Sequence, residues 1–184
     1  MTKDEKIKDI INTCIAKIDD NEQAVYREIA EYAVELGYTP KPIKNVHGLT
    51  DAIVFTKNKI GKRICKISPP TPNPSKGKEL YKEGKTILAL SFFRTPTYSE
   101  LFHRGVKEEI ESLHGNYTGC YGCEICTTGY TYTYIDGQTR VVCGNYKLIE
   151  LPPISADHVG EIKAMMKAQD DYWLKEIAEK TNQK

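Results

Sequence analysis

No stretch of this chain approaches the roughly 18 consecutive apolar residues that a membrane-spanning helix requires. Its opening, Met1-Thr2-Lys3-Asp4-Glu5, is polar where a secretion signal would turn apolar. Together these absences lead us to expect a cytoplasmic protein with no membrane partner. A Gly-x-Ser-x-Gly elbow, a Walker loop, a dinucleotide fingerprint and a His-Glu-x-x-His helix are all missing. The familiar hydrolase, nucleotide and metalloprotease mechanisms therefore have no foothold. There is a single tryptophan and no internal repeat, and the net charge is only +1.

What is present is the balance of a folded protein, with 40% hydrophobic and 28% charged residues in 184. That composition excludes global disorder and supplies enough apolar surface for one core. We expect a single α+β domain over 1–184. In it, an antiparallel sheet of about five or six strands is covered by helices, with an N-terminal helical hairpin and a long C-terminal helix. Residues 115–145 form a cysteine-rich metal-binding loop and hairpin.

Hydrophobic spacing places the elements. Thr2 and Glu5 make a capping box ahead of Ile7, Ile10, Ile11, Cys14, Ile15 and Ile18, which share one helical face. A second helix starts near Asp20 with Gln23 at the capping-box position, turns Val25, Ile29, Tyr32, Ala33 and Leu36 inward, and stops at Gly37. Gly37 to Gly48, with Pro40 and Pro42, reads as an irregular connection. Residues 51–56 and 61–67 form a hairpin, Ser68 to Ser75 is a proline-stiffened loop, and 86–93 is a strand buried on both faces.

Thr97 with Glu100 caps a third helix that buries Leu101, Phe102, Val106, Ile110 and Leu113. Tyr130 to Ile135 alternates strictly, Asp136-Gly137 is a hairpin turn, and Thr139 to Cys143 returns. After a turn at Gly144-Asn145 and a further strand stopped by Pro152-Pro153, Ser155 caps a last helix to about residue 179. It buries Val159, Ile162, Met165, Met166, Gln169, Tyr172, Trp173 and Ile177.

Six cysteines in a reducing compartment point to thiols or metal ligands rather than disulfides. Cys14 and Cys65 fall within apolar patterns and read as core residues. Cys120, Cys123 and Cys126 are spaced Cys-x2-Cys-x2-Cys, and the hairpin returns Cys143 towards them. Four thiolates form the tetrahedral set that Zn²⁺ accepts, with Gly122 and Gly144 allowing tight backbone and His114 as a fallback ligand. The same spacing also holds corners of iron–sulfur clusters, although no Cys-Pro follows here. Thiol redox chemistry, with His103 or His114 as a base, is a third use of these cysteines. A zinc ion held by all four has no open position, which makes its role structural.

Two features suggest nucleic acid or phosphate ligands. Residues 41–85 carry eleven Lys/Arg against three acids, a net of +8, while residues 1–36 carry five basic and nine acidic residues, a net of −4. Tyr130, Tyr132 and Tyr134 share one strand face on which bases can stack. The plainer readings, a solvated lysine-rich surface and a sheet face packed under a helix, account for both.

The run Ala52-Ile-Val-Phe-Thr-Lys-Asn-Lys-Ile-Gly-Lys-Arg-Ile-Cys-Lys-Ile67, followed by an apolar strand and a late helix, resembles the YdhG-like group of small α+β proteins. That resemblance implies an iron-handling role by fold-level analogy alone. Cys120-Tyr-Gly-Cys-Glu-Ile-Cys126, with Cys143-Gly144 and Gln169-Asp-Asp-Tyr-Trp173, resembles uncharacterised proteins of Firmicute bacteria, which implies a bacterial source. The cysteine cluster is foreign to the YdhG-like pattern, and neither resemblance carries a functional residue across.

Overall fold

The computed structural model describes residues 1–43, 51–70, 84–91, 99–111, 130–142 and 148–182. The chain opens with α1 (Lys3–Ile15), whose capping box is formed: Thr2 N donates to Glu5 Oε2 at 2.6 Å and Glu5 N to Thr2 Oγ1 at 3.2 Å. Its apolar face buries Ile11, Cys14 and Ile15. The second helix, α2 (Gln23–Glu35), packs against α1 as the expected hairpin. It starts later than its sequence suggests. Gln23 Nε2 caps the preceding turn by donating to Ile18 O and to Asp20 Oδ1 instead of sitting three residues into the helix. The later start goes with a shifted buried face: Tyr26, Ile29, Ala30 and Ala33 are buried, and Val25, Tyr32 and Leu36 lie at its margin. Gly37 ends the helix with φ +86°, a left-handed conformation that glycine adopts without steric cost.

The stretch expected to be irregular after Gly37 begins with a strand. β1 (Thr39–Pro42) pairs antiparallel with β2 (Ile53–Lys57), and Ile43 N continues the ladder to Ala52 O at 2.7 Å. Pro40 and Pro42 are tolerated because β1 lies at the sheet edge, where one row of donors needs no partner. A single 3₁₀ turn, Asn58–Ile60, and Gly61 in the left-handed region then join β2 to β3 (Lys62–Ser68). β4 (Ile87–Leu90), buried on both faces, lies between β3 and β7 (Ile149–Glu150), so the antiparallel order is β1-β2-β3-β4-β7. A separate two-stranded ladder joins β5 (Tyr130–Thr133) to β6 (Thr139–Val142).

The register lays out two faces. Pro40, Phe55, Cys65, Leu90 and Ile149 form one row across all five strands. Phe55, Cys65, Leu90 and Ile149 join the helical residues Ile15, Ile29, Ala33, Ile162 and Met166 in the main core cluster. The row one residue along, Lys41, Val54, Lys66, Ala89 and Glu150, points to the opposite face.

α3 (Glu100–Glu111) packs against β7 and buries Phe102, His103 and Val106. Gly105 allows the approach, since a Cβ there would lie 2.8 Å from Pro152 Cδ and 3.2 Å from Leu151 Cδ2. α4 (Val159–Asn182) follows a 3₁₀ turn, Ala156–His158, that Ser155 caps, and buries Val159, Ile162, Met165, Met166, Gln169, Asp170 and Trp173. Tyr172, expected inside, is 47% exposed. No described helix is long and apolar enough to cross a membrane.

Candidate metal centre and its surroundings

Cys120, Cys123, Cys126, Cys143 and the fallback ligand His114 lie outside the described residues, as do the Thr97 cap and the Gly144-Asn145 turn. What is described is the hairpin that joins the two halves of the cysteine pattern. Tyr134 N donates to Gln138 O at 2.8 Å and Gly137 N to Tyr134 O at 3.0 Å, with Gly137 at φ +83°. Asp136 Oδ1 accepts from Gln138 N at 3.0 Å. The Asp-Gly pair thus closes the turn, with the aspartate carboxylate holding the backbone that glycine's left-handed conformation reverses.

This turn end is fastened to α3. Tyr134 is 4% exposed, Lys107 Nζ stands 5.2 Å from its ring centroid, and the same ammonium pairs with Asp136 Oδ2 at 3.3 Å. Of the three tyrosines proposed to stack bases, Tyr134 is therefore committed to packing. At the other end, Tyr130 pairs with Val142. In sequence, Cys126 lies four positions before Tyr130 and Cys143 directly follows Val142.

The remaining cysteines are placed as their apolar surroundings imply. Cys14 and Cys65 are buried free thiols. Burial pushes the Cys14 thiol from 9.0 up to about 12, helped by the Asp51 carboxylate, and pushes the Cys65 thiol up as well. Neither is a thiolate near neutral pH, which fits their reading as core residues. His103, considered as a base, is 5% exposed on the inner side of α3. Among the described residues, no group of three or more His, Cys, Asp or Glu side chains is placed to hold a metal.

No protein-family model, curated protein or solved structure matches this chain.

Within the basic section, Lys57 and Lys66 lie on opposite sheet faces, and both are engaged. Lys57 Nζ pairs with Asp170 Oδ1 of α4 at 2.5 Å, and the Tyr38 hydroxyl donates to the same oxygen at 2.8 Å. The ammonium also stands 4.6 Å from the Tyr38 ring centroid. Burial, then the hydrogen bond to Asp170 and its charge, push the Tyr38 phenol well above its ordinary range and keep it a donor. Lys62 Nζ lies 5.6 Å from the Trp173 ring centroid. On the opposite face, Lys66 Nζ reaches Glu150 Oε1 at 3.3 Å across the small side chain of Ala89. Lys41 donates to Asn58 Oδ1 at 2.8 Å.

Asp170 is the buried polar residue whose role the sequence reading left out. Its signal was available: it lies four residues after Met166 and three before Trp173, so it falls within the apolar stripe of α4. A carboxylate at such a position needs a buried cation or donor, and Lys57 and Tyr38 supply both.

Proposed function

We propose that Cys120, Cys123, Cys126 and Cys143 hold one zinc ion as a closed four-thiolate site, and that its role is structural within a non-enzymatic binding or regulatory protein. The observation supporting this is the β5–β6 register, which sets Tyr130, four positions after Cys126 in sequence, beside Val142, the residue before Cys143. The docked turn adds to it, because Tyr134 and Asp136 hold the opposite end of the hairpin against Lys107 of α3. A zinc ion filled by four thiolates offers no position to water or substrate, so it stabilises a fold instead of activating a nucleophile. The segment between α3 and β5 is rich in Gly, Thr and Tyr and poor in aliphatic residues, the composition for which a metal substitutes for a core.

The nucleic-acid reading of the basic section gains less support, since Lys57 and Lys66 are neutralised by Asp170 and Glu150. Elemental analysis of anaerobically purified protein tests the metal reading. The expected result is about one zinc per chain, lost from a Cys123→Ser/Cys143→Ser variant, with no visible absorption band. Iron with a charge-transfer band, or metal-free protein whose thiols titrate freely, overturns it.

A further inference from the structure

The five-stranded sheet ends in β1 on one side and β7 on the other. β7 is two residues long and α3 packs against it, so that edge is both short and flanked. Beyond β1 no further strand pairs among the described residues, and Lys41 and Pro42 are exposed there.

Register settles which backbone groups of β1 face outward. Ile43 N donates to Ala52 O at 2.7 Å, so position 43 belongs to a hydrogen-bonded pair of the ladder with β2. Such pairs alternate in an antiparallel ladder, which turns the groups of 39, 41 and 43 towards β2 and those of 38, 40 and 42 away from it. Each outward donor is accounted for. Positions 40 and 42 are prolines and have no N–H. Tyr38 N donates to Ala33 O at 3.0 Å, at the end of α2. The outward edge from 38 to 42 therefore presents carbonyls and no free N–H.

A strand edge repeated in every molecule can meet itself about a two-fold axis, which makes a second copy the pairing partner always at hand. With the axis at Lys41, Pro40 of one copy faces Pro42 of the other, and every hydrogen bond between them needs a proline nitrogen as donor. None can form. The same alignment sets the Lys41 side chains of the two copies directly opposite each other, a like-charge pair that opposes association.

We propose that Pro40-Lys41-Pro42 closes this edge to strand addition by a second copy of the chain, the prolines by withholding donors and Lys41 by its charge. This holds whether or not the cysteines bind metal.

The test restores what the edge lacks. Pro40→Val/Pro42→Thr returns both N–H groups on strand-forming residues, and adding Lys41→Thr removes the charge. Sedimentation over a concentration series and amide exchange of the full chain read the result. We expect the double variant to dimerise at least about tenfold more tightly than the parent, and the triple variant more tightly still, with slowed exchange at the restored amides 40 and 42. Lys41→Thr alone should sediment as the parent. Pro40 is buried, so Pro42→Thr, at an exposed position, serves as the milder variant. It restores half of the symmetric bonds and should give the same dimer more weakly. Variants that circular dichroism shows folded but that sediment as the parent, a parent dimer that protects this edge, or association without slowed exchange at 40 and 42 overturn the proposal. Loss of the fold in Pro42→Thr also overturns it, in favour of a role for the proline in the chain's own folding.

Discussion

Asp170 shows how much one side chain can decide. Its Oδ1 receives both the Lys57 ammonium and the Tyr38 hydroxyl, and the Asp170 and Lys57 side chains are 6% and 14% exposed. Removing the carboxylate leaves a nearly buried cation and a buried hydroxyl without an acceptor, which is worse than never having buried the pair. Asp170→Ala should lower stability by about 3 kcal/mol, read from the urea midpoint at an unchanged slope. Asp170→Asn, which keeps an acceptor for Tyr38, should cost less. Equal loss in the two variants would mean that packing, not the charge, is at stake.

Cys14 makes a pH prediction at the same scale. Its thiol titrates at about 12 in the fold against an ordinary 9.0, chiefly through desolvation. Between those values the unfolded chain has lost a proton that the native chain keeps, so stability falls as pH rises. The full contribution is present below about pH 9 and erodes above it, at no more than roughly 1.4 kcal/mol per pH unit. Urea unfolding at about pH 8 and about pH 10.5 should show a smaller decline in Cys14→Ala than in the parent.

Among the elements, the contact between α3 and the chain after β7 has the least slack. Gly105 is buried, and a methyl group at that position would meet Pro152 Cδ at 2.8 Å, an atom of a rigid ring that cannot rotate away. Gly105→Ala should therefore destabilise by about 1–3 kcal/mol, as overpacking does, despite the gain in helix propensity that alanine brings. The opposite outcome, a stabilised variant in thermal melts, would show that α3 moves away from β7 readily. The β5–β6 hairpin depends on this helix too, because Lys107 of α3 holds both Tyr134 and Asp136.

For the molecule as a whole, the main core meets the proposed metal segment, among the described residues, at Tyr134 of the β5–β6 hairpin. Beyond Tyr134, the core cluster draws chiefly on α1, α2, α3, α4 and the five-stranded sheet, and includes Trp173. Chelation or a Cys120→Ser/Cys123→Ser variant should leave the cooperative unfolding transition followed by Trp173 fluorescence nearly in place. The same treatment should expose the segment between α3 and β7 to limited proteolysis. A collapse of the tryptophan transition on metal removal would instead make the metal part of the global fold.

The sequence by itself determined what depends on near neighbours. The Thr2–Glu5 capping box, the stop at Gly37, the Asp136-Gly137 turn and the Ser155 cap are contests among a few adjacent backbone groups, and those contests are settled locally. The buried state of Cys14, Cys65 and the 87–90 strand was legible for a similar reason, since apolar periodicity fixes which side of an element turns inward. Tertiary structure alone decided the rest. Prolines at 40 and 42 look like strand breakers until the strand is known to lie at an edge, where their missing donors go unneeded. Lys57 and Lys66 count as surface charge until Asp170 and Glu150, more than eighty residues away, are brought against them. The cysteine pattern stands between the two. Its spacing could be read directly, whereas the pairing of Tyr130 with Val142, which lie between Cys126 and Cys143 in the chain, is a register that cross-strand hydrogen bonds fix and sequence spacing cannot.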